Sequence, residues 1–169
     1  NASATVCAGQ NFGVLNIFGE VGNILDWEMS QDGGVTWTAL GNTGTTQSYS
    51  NLTDTTWYHA IVQSGICAAD TSDLAIINMY PSPVAGFNPD TVCQGSPLTF
   101  VNTTTNSVGF ITLYNWTFGD GNTSGAVNPI HTYSIFGNIN VDLFVMNNFG
   151  CTDTVSQIIV VNNLPVADI

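Results

Sequence analysis

Four cysteines carry the most reactive side chains of this sequence, and they recur in two matching sets. Cys7 and Cys93 share the pattern Thr-Val-Cys-x-Gly 86 positions apart, and Cys67 and Cys151 are 84 positions apart. This repetition predicts the disulfides Cys7 with Cys67 and Cys93 with Cys151, each stabilising its half by ~4 kcal/mol in the chain-entropy model. Such bonds indicate an oxidising compartment. Four buried free thiols are the alternative, whereas the short spacing of zinc ligands is missing.

Acidic and basic side chains form no recognisable catalytic pattern. The two histidines, His59 and His131, occupy strand-like segments in different halves, without the activated Ser or Cys that a triad requires. Glu20 and Glu28 are the only glutamates, and no acid pair can be assigned to opposite sides of a sugar-cleaving cleft. We predict that the chain has no catalytic residues and is not an enzyme, and that His131 packs with Tyr133.

Asp120, between Gly119 and Gly121, is a candidate calcium ligand. Calcium takes about six to eight oxygen ligands, and one aspartate supplies too few of them. The same pattern suits a turn, because Asp accepts hydrogen bonds from nearby backbone N–H groups and Gly adopts positive φ. We therefore predict turn roles for Asp120 and for Asp32 before Gly33, and no cofactor. Calcium bridging between neighbouring domains is the alternative.

Trp37 and Trp57 are the candidates for a sugar-stacking platform. Their strand-like positions favour packing in the core or between sheets, because an aromatic side chain buries a large apolar area. An exposed platform is the alternative.

The charge of the chain is one-sided, with 12 Asp and Glu residues, no Lys or Arg, and a net charge of -12. Nucleic acids and anionic membrane surfaces are bound through cations, so neither is a predicted partner. No apolar run reaches the ~20 residues of a membrane-spanning helix, and no charged, apolar leader opens the sequence. We expect a mature chain or an excerpt that its acidic charge keeps soluble.

Short strands must position these residues. The predicted strands are 22–30, 35–40, 57–63 and 74–80 in the first half, with a hairpin at 30–34, and 98–102, 110–118, 138–147 and 155–161 in the second. The alternating residues Ile139, Val141, Leu143 and Val145 are expected to face a core. No segment has a convincing amphipathic helical pattern. The sequence predicts an all-β protein of two tandem immunoglobulin-like antiparallel β-sandwich domains.

Internal repetition sets the predicted domain boundaries. Besides the cysteine segments, Pro83-Val84-Ala85 recurs as Pro165-Val166-Ala167, 82 positions later. We predict an Ig-like domain at 1–80, a linker at 81–84 that its prolines stiffen, a second domain at 83–162, and the start of a further repeat at 163–169.

Both halves resemble known families. Residues 83 to 162 resemble a PKD domain through the blocks 114–121 (Tyr-Asn-Trp-Thr-Phe-Gly-Asp-Gly), 131–133 (His-Thr-Tyr), 141–145 and 148–151, which occur in the order of that family. The first half resembles Ig-like repeats of Bacteroidota-type surface proteins through residues 26–30, 32–37, 56–62 and 64–67. Both resemblances imply immunoglobulin-like β-sandwiches.

The resemblances also imply a role. They point to a structural or adhesive segment of a large extracellular adhesin or filament on the bacterial cell surface, exported by type IX secretion. The expected partners are neighbouring repeats, packed head to tail or donating a strand, and surface glycans or proteins. An accessory module of a secreted polysaccharide- or protein-degrading enzyme is the alternative.

Three threonines follow an aspartate as in the O-glycan acceptor of Bacteroidota. They are Thr55, Thr91 and Thr154. This resemblance implies O-glycosylation at these positions, and therefore a glycoprotein.

Overall fold

The part of the chain that the structure describes folds into β-strands. The computed structural model describes residues 3–88 and 90–165, in which seventeen strands and no helix are formed. The chain divides into two compact units, Asn1–Tyr80 (unit 1) and Pro81–Ile169 (unit 2), and each has its own hydrophobic core. The predicted all-β class with tandem immunoglobulin-like sandwiches is confirmed. In the described part of the chain, no helix has the length and apolar character of a membrane span.

Unit 1 consists of one large and one small sheet. Its strands are β1 Ala4–Cys7, β2 Phe12–Asn16, β3 Asn23–Ser30, β4 Thr38–Ala39, β5 Thr46–Ser50, β6 Thr56–Gln63, β7 Asp70–Thr71 and β8 Ala75–Tyr80. The large sheet has the order β1-β8-β6-β3-β4, with β7 also paired to β6, and β2 pairs with β5. The core between them includes Leu15 from the small sheet and Trp27, Tyr58 and Ile77 from the large sheet.

Unit 2 repeats this plan with a larger core. Its strands are β9 Phe87–Asn88, β10 Thr91–Cys93, β11 Pro97–Thr99, β12 Val101–Asn102, β13 Ile111–Thr117, β14 Thr123–Ser124, β15 Ile130–Thr132, β16 Gly137–Asn147 and β17 Thr152–Asn162. The main sheet has the order β10-β17-β16-β13-β14, and β11-β15 and β12-β9 are two-stranded sheets. The predicted inward-facing residues are confirmed, since Ile139 is 6% exposed and Val141, Leu143 and Val145 are fully buried.

The first strand of each main sheet departs from the antiparallel prediction. β1 runs parallel to β8, and β10 runs parallel to β17, whereas every other strand pair in the described residues is antiparallel. β1 and β10 contain four and three residues, too few to show an alternating pattern. In each unit, the last strand therefore lies beside the first strand of the main sheet.

The predicted strand 35–40 shrinks to the two-residue β4 because a side chain organises the preceding loop. Asp32 Oδ1 accepts hydrogen bonds from Ser30 Oγ at 2.7 Å, Val35 N at 3.0 Å and Thr36 N at 2.9 Å. The hydrogen bonds from Thr36, followed by that from Ser30, hold the pKa of Asp32 well below its usual range. A side chain that bonds its own loop competes with strand pairing.

The predicted strand 98–102 is split at Phe100. The Phe100 side chain is 1% exposed, and its N–H donates to the carbonyl oxygen of Pro129 at 2.9 Å. On either side of it, β11 pairs with β15 and β12 pairs with β9. The run therefore contributes to two small sheets.

Candidate functional site

The repeated Thr-Val-Cys-x-Gly segment ends the first strand of each main sheet with the same turn. In unit 2, Ser96 N donates to the carbonyl oxygen of Cys93 at 3.0 Å, and Gly95 has φ 78°. Gln94 N, within that turn, donates to the carbonyl oxygen of Asn162 at 2.8 Å. A positive φ at the third turn residue is typical of a type II turn and favours glycine. The motif thus attaches β10 to the last residue of β17.

Unit 1 builds this turn at the equivalent place. Ala8 N donates to the carbonyl oxygen of Tyr80 at 3.0 Å, and Gly9 has φ 77°. Cys7 therefore lies opposite Tyr80, the last residue of β8, as Cys93 lies opposite Asn162. In both units, we call the end of the main sheet where the last strand finishes the exit end. The end where that strand begins is the entry end.

Cys67 lies at the entry end of unit 1, in the turn that follows β6. Its carbonyl oxygen accepts a hydrogen bond from Gln63 Nε2 at 2.8 Å. The register pairs Thr56 with Ile77, so Gln63 is seven residues from that pair in one direction, and Tyr80 is three residues from it in the other. Gln63, next to the Cys67 turn, is therefore ten residues along the sheet from Tyr80, which lies opposite Cys7. At ~3.3 Å per residue, this distance is about 33 Å.

Cys151 lies at the entry end of unit 2, immediately before β17. Cys93 is paired opposite Asn162, at the other end of the same strand. The eleven residues of β17 separate these two positions by about 36 Å.

The predicted disulfides Cys7 with Cys67 and Cys93 with Cys151 are wrong. Disulfide formation needs Cα atoms within about 7 Å, and a whole strand length separates the two cysteines of each unit. Cys7 and Cys151 are each disulfide-bonded. Cys67 and Cys93 carry free thiols on exposed residues. The prediction of a disulfide in this protein is confirmed, and the error lies in its assumption that cysteines near the first and last strands lie close together.

An open cavity adjoins Cys67 at the entry end of unit 1, and no sequence pattern predicted it. Its volume is about 500 Å³, and its lining includes Phe18, Glu20, Val21, Cys67 and Asp70. Phe18 is 84% exposed and Val21 is 80% exposed, so the lining that includes Cys67 also has large, uncovered apolar side chains. Such side chains on one surface mark a site at which another molecule can pack.

Asp120 has the turn role that was predicted. Its Oδ1 accepts a hydrogen bond from Asn122 N at 3.1 Å, and its Oδ2 lies 2.7 Å from His131 Nε2. His131 stacks on Phe118 with ring centroids 4.2 Å apart and meets the edge of Tyr133 at 4.6 Å, which confirms the predicted packing. No group of three His, Cys, Asp or Glu side chains in the described residues could hold a metal ion. Calcium binding, the alternative to the predicted turn role, is left untested.

Two carboxyl groups make the stability of unit 2 dependent on pH. Burial raises the pKa of Asp120, but hydrogen bonds from His131 and Asn122 outweigh it and bring that pKa below 3.8. The hydrogen bond from Ser156 lowers the pKa of Asp142 in the same way. Because folding lowers both pKa values, the two carboxylates stabilise unit 2 above pH 3.8. This stabilisation is lost as the pH falls through the lowered pKa values.

We expect unit 2 to lose stability on acidification from about pH 5 to pH 2, and we expect the loss to be smaller in the variant Asp120→Asn/Asp142→Asn. Amide side chains do not titrate in this range, so the variant cannot take up those two protons. Urea denaturation at a series of pH values measures both slopes. Equal slopes would contradict the assignment.

Tyr133 is a buried residue whose hydroxyl has no hydrogen-bond partner among the described residues. Burial, with a smaller contribution from the charge of Asp120, raises the pKa of this phenol well above its usual range. We expect Tyr133→Phe to leave the free energy of unfolding unchanged or to raise it by up to about 1 kcal/mol, because it removes an unpaired polar group and keeps the ring. Urea denaturation measures the change. A loss of more than about 1 kcal/mol would show that the hydroxyl has a partner in solution.

Trp37 and Trp57 are not among the core residues of unit 1, so the expectation that they pack in the core or between the sheets is wrong. Trp37 stacks on His59 with ring centroids 3.8 Å apart, and its Nε1 donates to the carbonyl oxygen of Gly34 at 3.1 Å. His59 Nε2 in turn lies 2.8 Å from Glu28 Oε2. Both indoles are half-buried. They flank Gly34 and do not form an open, flat platform.

The three predicted glycosylation sites differ in accessibility. Thr91 and Thr154 are exposed on β10 and β17. Thr55 is half-buried, and its Oγ1 accepts a hydrogen bond from Met79 N at 3.1 Å. Glycosylation remains a prediction, and Thr91 and Thr154 are the accessible positions for it.

Two immunoglobulin-like β-sandwiches and a disulfide define a class of protein. They make this chain an extracellular or secreted module of the accessory or adhesive kind. Residues 80–162 match the model of the PKD domain, which confirms the resemblance predicted for this half. Residues 1–81 match the family described as the domain of unknown function DUF8696.

Similar solved structures include two PKD domains and one tandem of modules. The PKD1 domain of Vibrio anguillarum Epp is 29% identical, with 49% of this chain and 96% of that chain covered and a TM-score of 0.46. The PKD1 domain of the Vibrio cholerae metalloprotease PrtV is 36% identical, with 48% and 98% covered and a TM-score of 0.44. The fibronectin(III)-like modules of Clostridium thermocellum CbhA are 13% identical over 96% of this chain and 90% of that chain, with a TM-score of 0.43.

Proposed function

We propose that this chain is a structural and adhesive repeat segment of a large adhesin or filament at the bacterial cell surface, where it spaces or presents binding sites. Its partners would be neighbouring repeats and surface glycans or proteins. Export by type IX secretion and O-glycosylation at Thr91 and Thr154 belong to this proposal. The strand-donating arrangement involves residues 164–169, of which 166–169 lie outside the described residues, as does most of the predicted further repeat.

The path of the chain through unit 2 carries the proposal. Ala85 N donates to Asp153 Oδ2 at 2.8 Å, so the chain enters the unit beside the first residues of β17. It leaves at Asn162, the last residue of that strand, nine residues and about 30 Å from Asp153. A module that the chain enters at one end and leaves at the other adds its own length to a series. This is the property that a spacer requires.

The parallel pairing of β10 with β17 suits a module under tension. Force applied at the two ends of unit 2 pulls these strands along their length in opposite directions. The hydrogen bonds between them, including that from Gln94 N to Asn162, then bear the force together and do not break one by one. A structural segment of a surface filament would experience such a force.

Single-molecule extension of the chain tests this mechanical role. We expect a discrete unfolding event for unit 2 with reductant present, and a lower rupture force for Gln94→Pro. Proline suits the second position of this turn and removes one hydrogen-bond donor to β17. The matched control Gln94→Ala keeps the backbone N–H and should stay closer to the wild type. Gradual extension at low force, or equal rupture forces for the two variants, would count against this mechanical role.

An accessory module of a secreted polysaccharide- or protein-degrading enzyme is the second candidate. Antibodies against this chain would separate the two. Immunogold labelling of the source cells should follow surface filaments, with antibody preabsorbed on the purified chain as the control. If the label were instead absent from the cells, and the antibody removed a hydrolytic activity from the culture medium, the adhesin proposal would be rejected.

A further inference from the structure

We propose that Cys93 of one copy of this segment forms a disulfide with Cys67 of the next copy, so that successive copies are joined head to tail by covalent bonds. The inference deepens the proposed spacer function and rests on it for the serial arrangement. It assigns a partner, a second copy of this chain, to the two exposed thiols.

The internal repeat supplies the first argument. Cys93 and Cys7 occupy equivalent places, each at the exit end of its unit after the same strand and before the same turn. Cys67 and Cys151 are also equivalent, each in the turn after a central strand at an entry end. Of each kind, one cysteine is disulfide-bonded, namely Cys7 at an exit end and Cys151 at an entry end. The two free thiols are the remaining cysteines of the same two kinds.

The size of the units supplies the second argument. About 33 Å separates the cysteine positions of unit 1 and about 36 Å those of unit 2, so neither free thiol can bond the other cysteine of its own unit. Each free thiol instead lies at an end of its unit. That is where a series of modules brings one copy against the next.

The surfaces around the two thiols supply the third argument. Cys67 adjoins the cavity that Phe18 and Val21 line, and its neighbour Ile66 is fully exposed. At the exit end of unit 2, Gln94 Nε2 donates to the carbonyl oxygen of Ser134 at 2.6 Å, which holds the loop 134–136 beside the Cys93 turn. That loop carries Ile135 and Phe136, which are 48% and 60% exposed. Both ends therefore combine a free thiol with uncovered apolar side chains, which pack well against each other.

The charge of the chain explains why the junction would be covalent. Without Lys or Arg, no such salt bridge can hold two copies together, and two chains of net charge -12 repel each other. Apolar contact between the ends can orient the thiols, and the disulfide then makes the contact permanent. Salt should accelerate the joining reaction, because it shortens the range of the repulsion.

The reaction is a thiol–disulfide exchange with oxidised glutathione or another small disulfide as the oxidant. The Cys93 thiolate attacks the oxidant and displaces one reduced thiol, forming a mixed disulfide. The Cys67 thiolate of the second copy then attacks the protein sulfur of the mixed disulfide and displaces the other. Two protein thiols are oxidised to one disulfide, and one small disulfide is reduced to two thiols.

Two single variants test the pairing. Purified Cys67→Ser and Cys93→Ser chains, each with one free thiol, are mixed in equal amounts with oxidised glutathione, and non-reducing electrophoresis and mass mapping identify the disulfides. Head-to-tail docking predicts a heterodimer bonded through Cys93 and Cys67, in about tenfold excess over either homodimer, which is about fivefold above random pairing. Random collision would give only about twice as much heterodimer as either homodimer.

The wild-type chain and the double variant complete the experiment. The wild type should form a ladder of covalent oligomers that lengthens with added salt, and Cys67→Ser/Cys93→Ser should stay monomeric. Both substitutions lie on exposed residues, so folding is not at risk, and circular dichroism checks it. Random pairing, or glutathione adducts without oligomers, would overturn the inference. The extension and immunogold experiments do not depend on these thiols, so failure here is distinguishable from failure of the spacer function.

Discussion

Trp116→Ala should destabilise unit 2 by about 3–5 kcal/mol, which is a large part of the stability of a small domain. The Trp116 side chain is completely buried, and its Nε1 donates to the carbonyl oxygen of Ala126 at 2.9 Å. Its ring centroid lies 5.1 Å from that of Phe87 and 5.5 Å from that of Phe100. The truncation leaves a cavity beside the rings of Phe87 and Phe100, and an unpaired carbonyl group.

Denaturation followed by circular dichroism measures this loss. Trp116 is the only tryptophan of unit 2, so the fluorescence that the variant retains comes entirely from unit 1 and reports its unfolding separately. Phe110→Ala is the control, since Phe110 is 65% exposed, and it should cost less than about 1 kcal/mol. If the two variants lost the same stability, Trp116 would not be the centre of the core.

Gly119→Ala should cost unit 2 about 3 kcal/mol, although it adds only one methyl group. Gly119 has φ 75°, a conformation that costs an L-residue about 1–2 kcal/mol. A Cβ atom at this position would also overlap the carbonyl oxygen of Asn140 and lie 2.8 Å from Ile139 Cγ2. Both neighbours belong to the central strand β16, which cannot move without disturbing the sheet.

Gly121→Ala is the matched control, two residues further along the same turn. Gly121 has φ 93°, and a Cβ atom there would meet nothing within 4 Å. Its expected cost is limited to about 1–2 kcal/mol for the backbone conformation. The difference between the two midpoints of urea denaturation therefore isolates the steric overlap. Equal costs would show that β16 gives way to the added methyl group.

Sequence periodicity predicted the long strands because their residues alternate over many positions. The predicted strand 138–147 is β16 with one residue added, and the inward positions from Ile139 to Val145 form the core. Strands of two or three residues, such as β9 and β10, have no such signal and were missed. Their places depend on partners that are far away in the sequence.

The cysteine pairing could not be predicted because it depends on strand direction. The repeat correctly related Cys7 to Cys93 and Cys67 to Cys151, but it held no information on which ends of the sheet they occupy. That information comes from the parallel register of Cys7 with Tyr80. For the same reason, the entry-end cavity beside Cys67 was not foreseen, since its lining comes from three separate stretches of the chain.

The parallel register of β10 with β17 has a consequence for how unit 2 acquires its structure. Thr91 pairs with Val160, 69 residues later, so the main sheet stays incomplete until the end of the unit has been synthesised or translocated. Contacts between residues so distant in sequence form slowly. Until then the β17-facing edge of β16 is open to pairing with other chains, which is an aggregation hazard. A chain that emerges gradually from an exporter would thus depend on a chaperone, or on fast release of its final strand, to avoid misassembly with its neighbours.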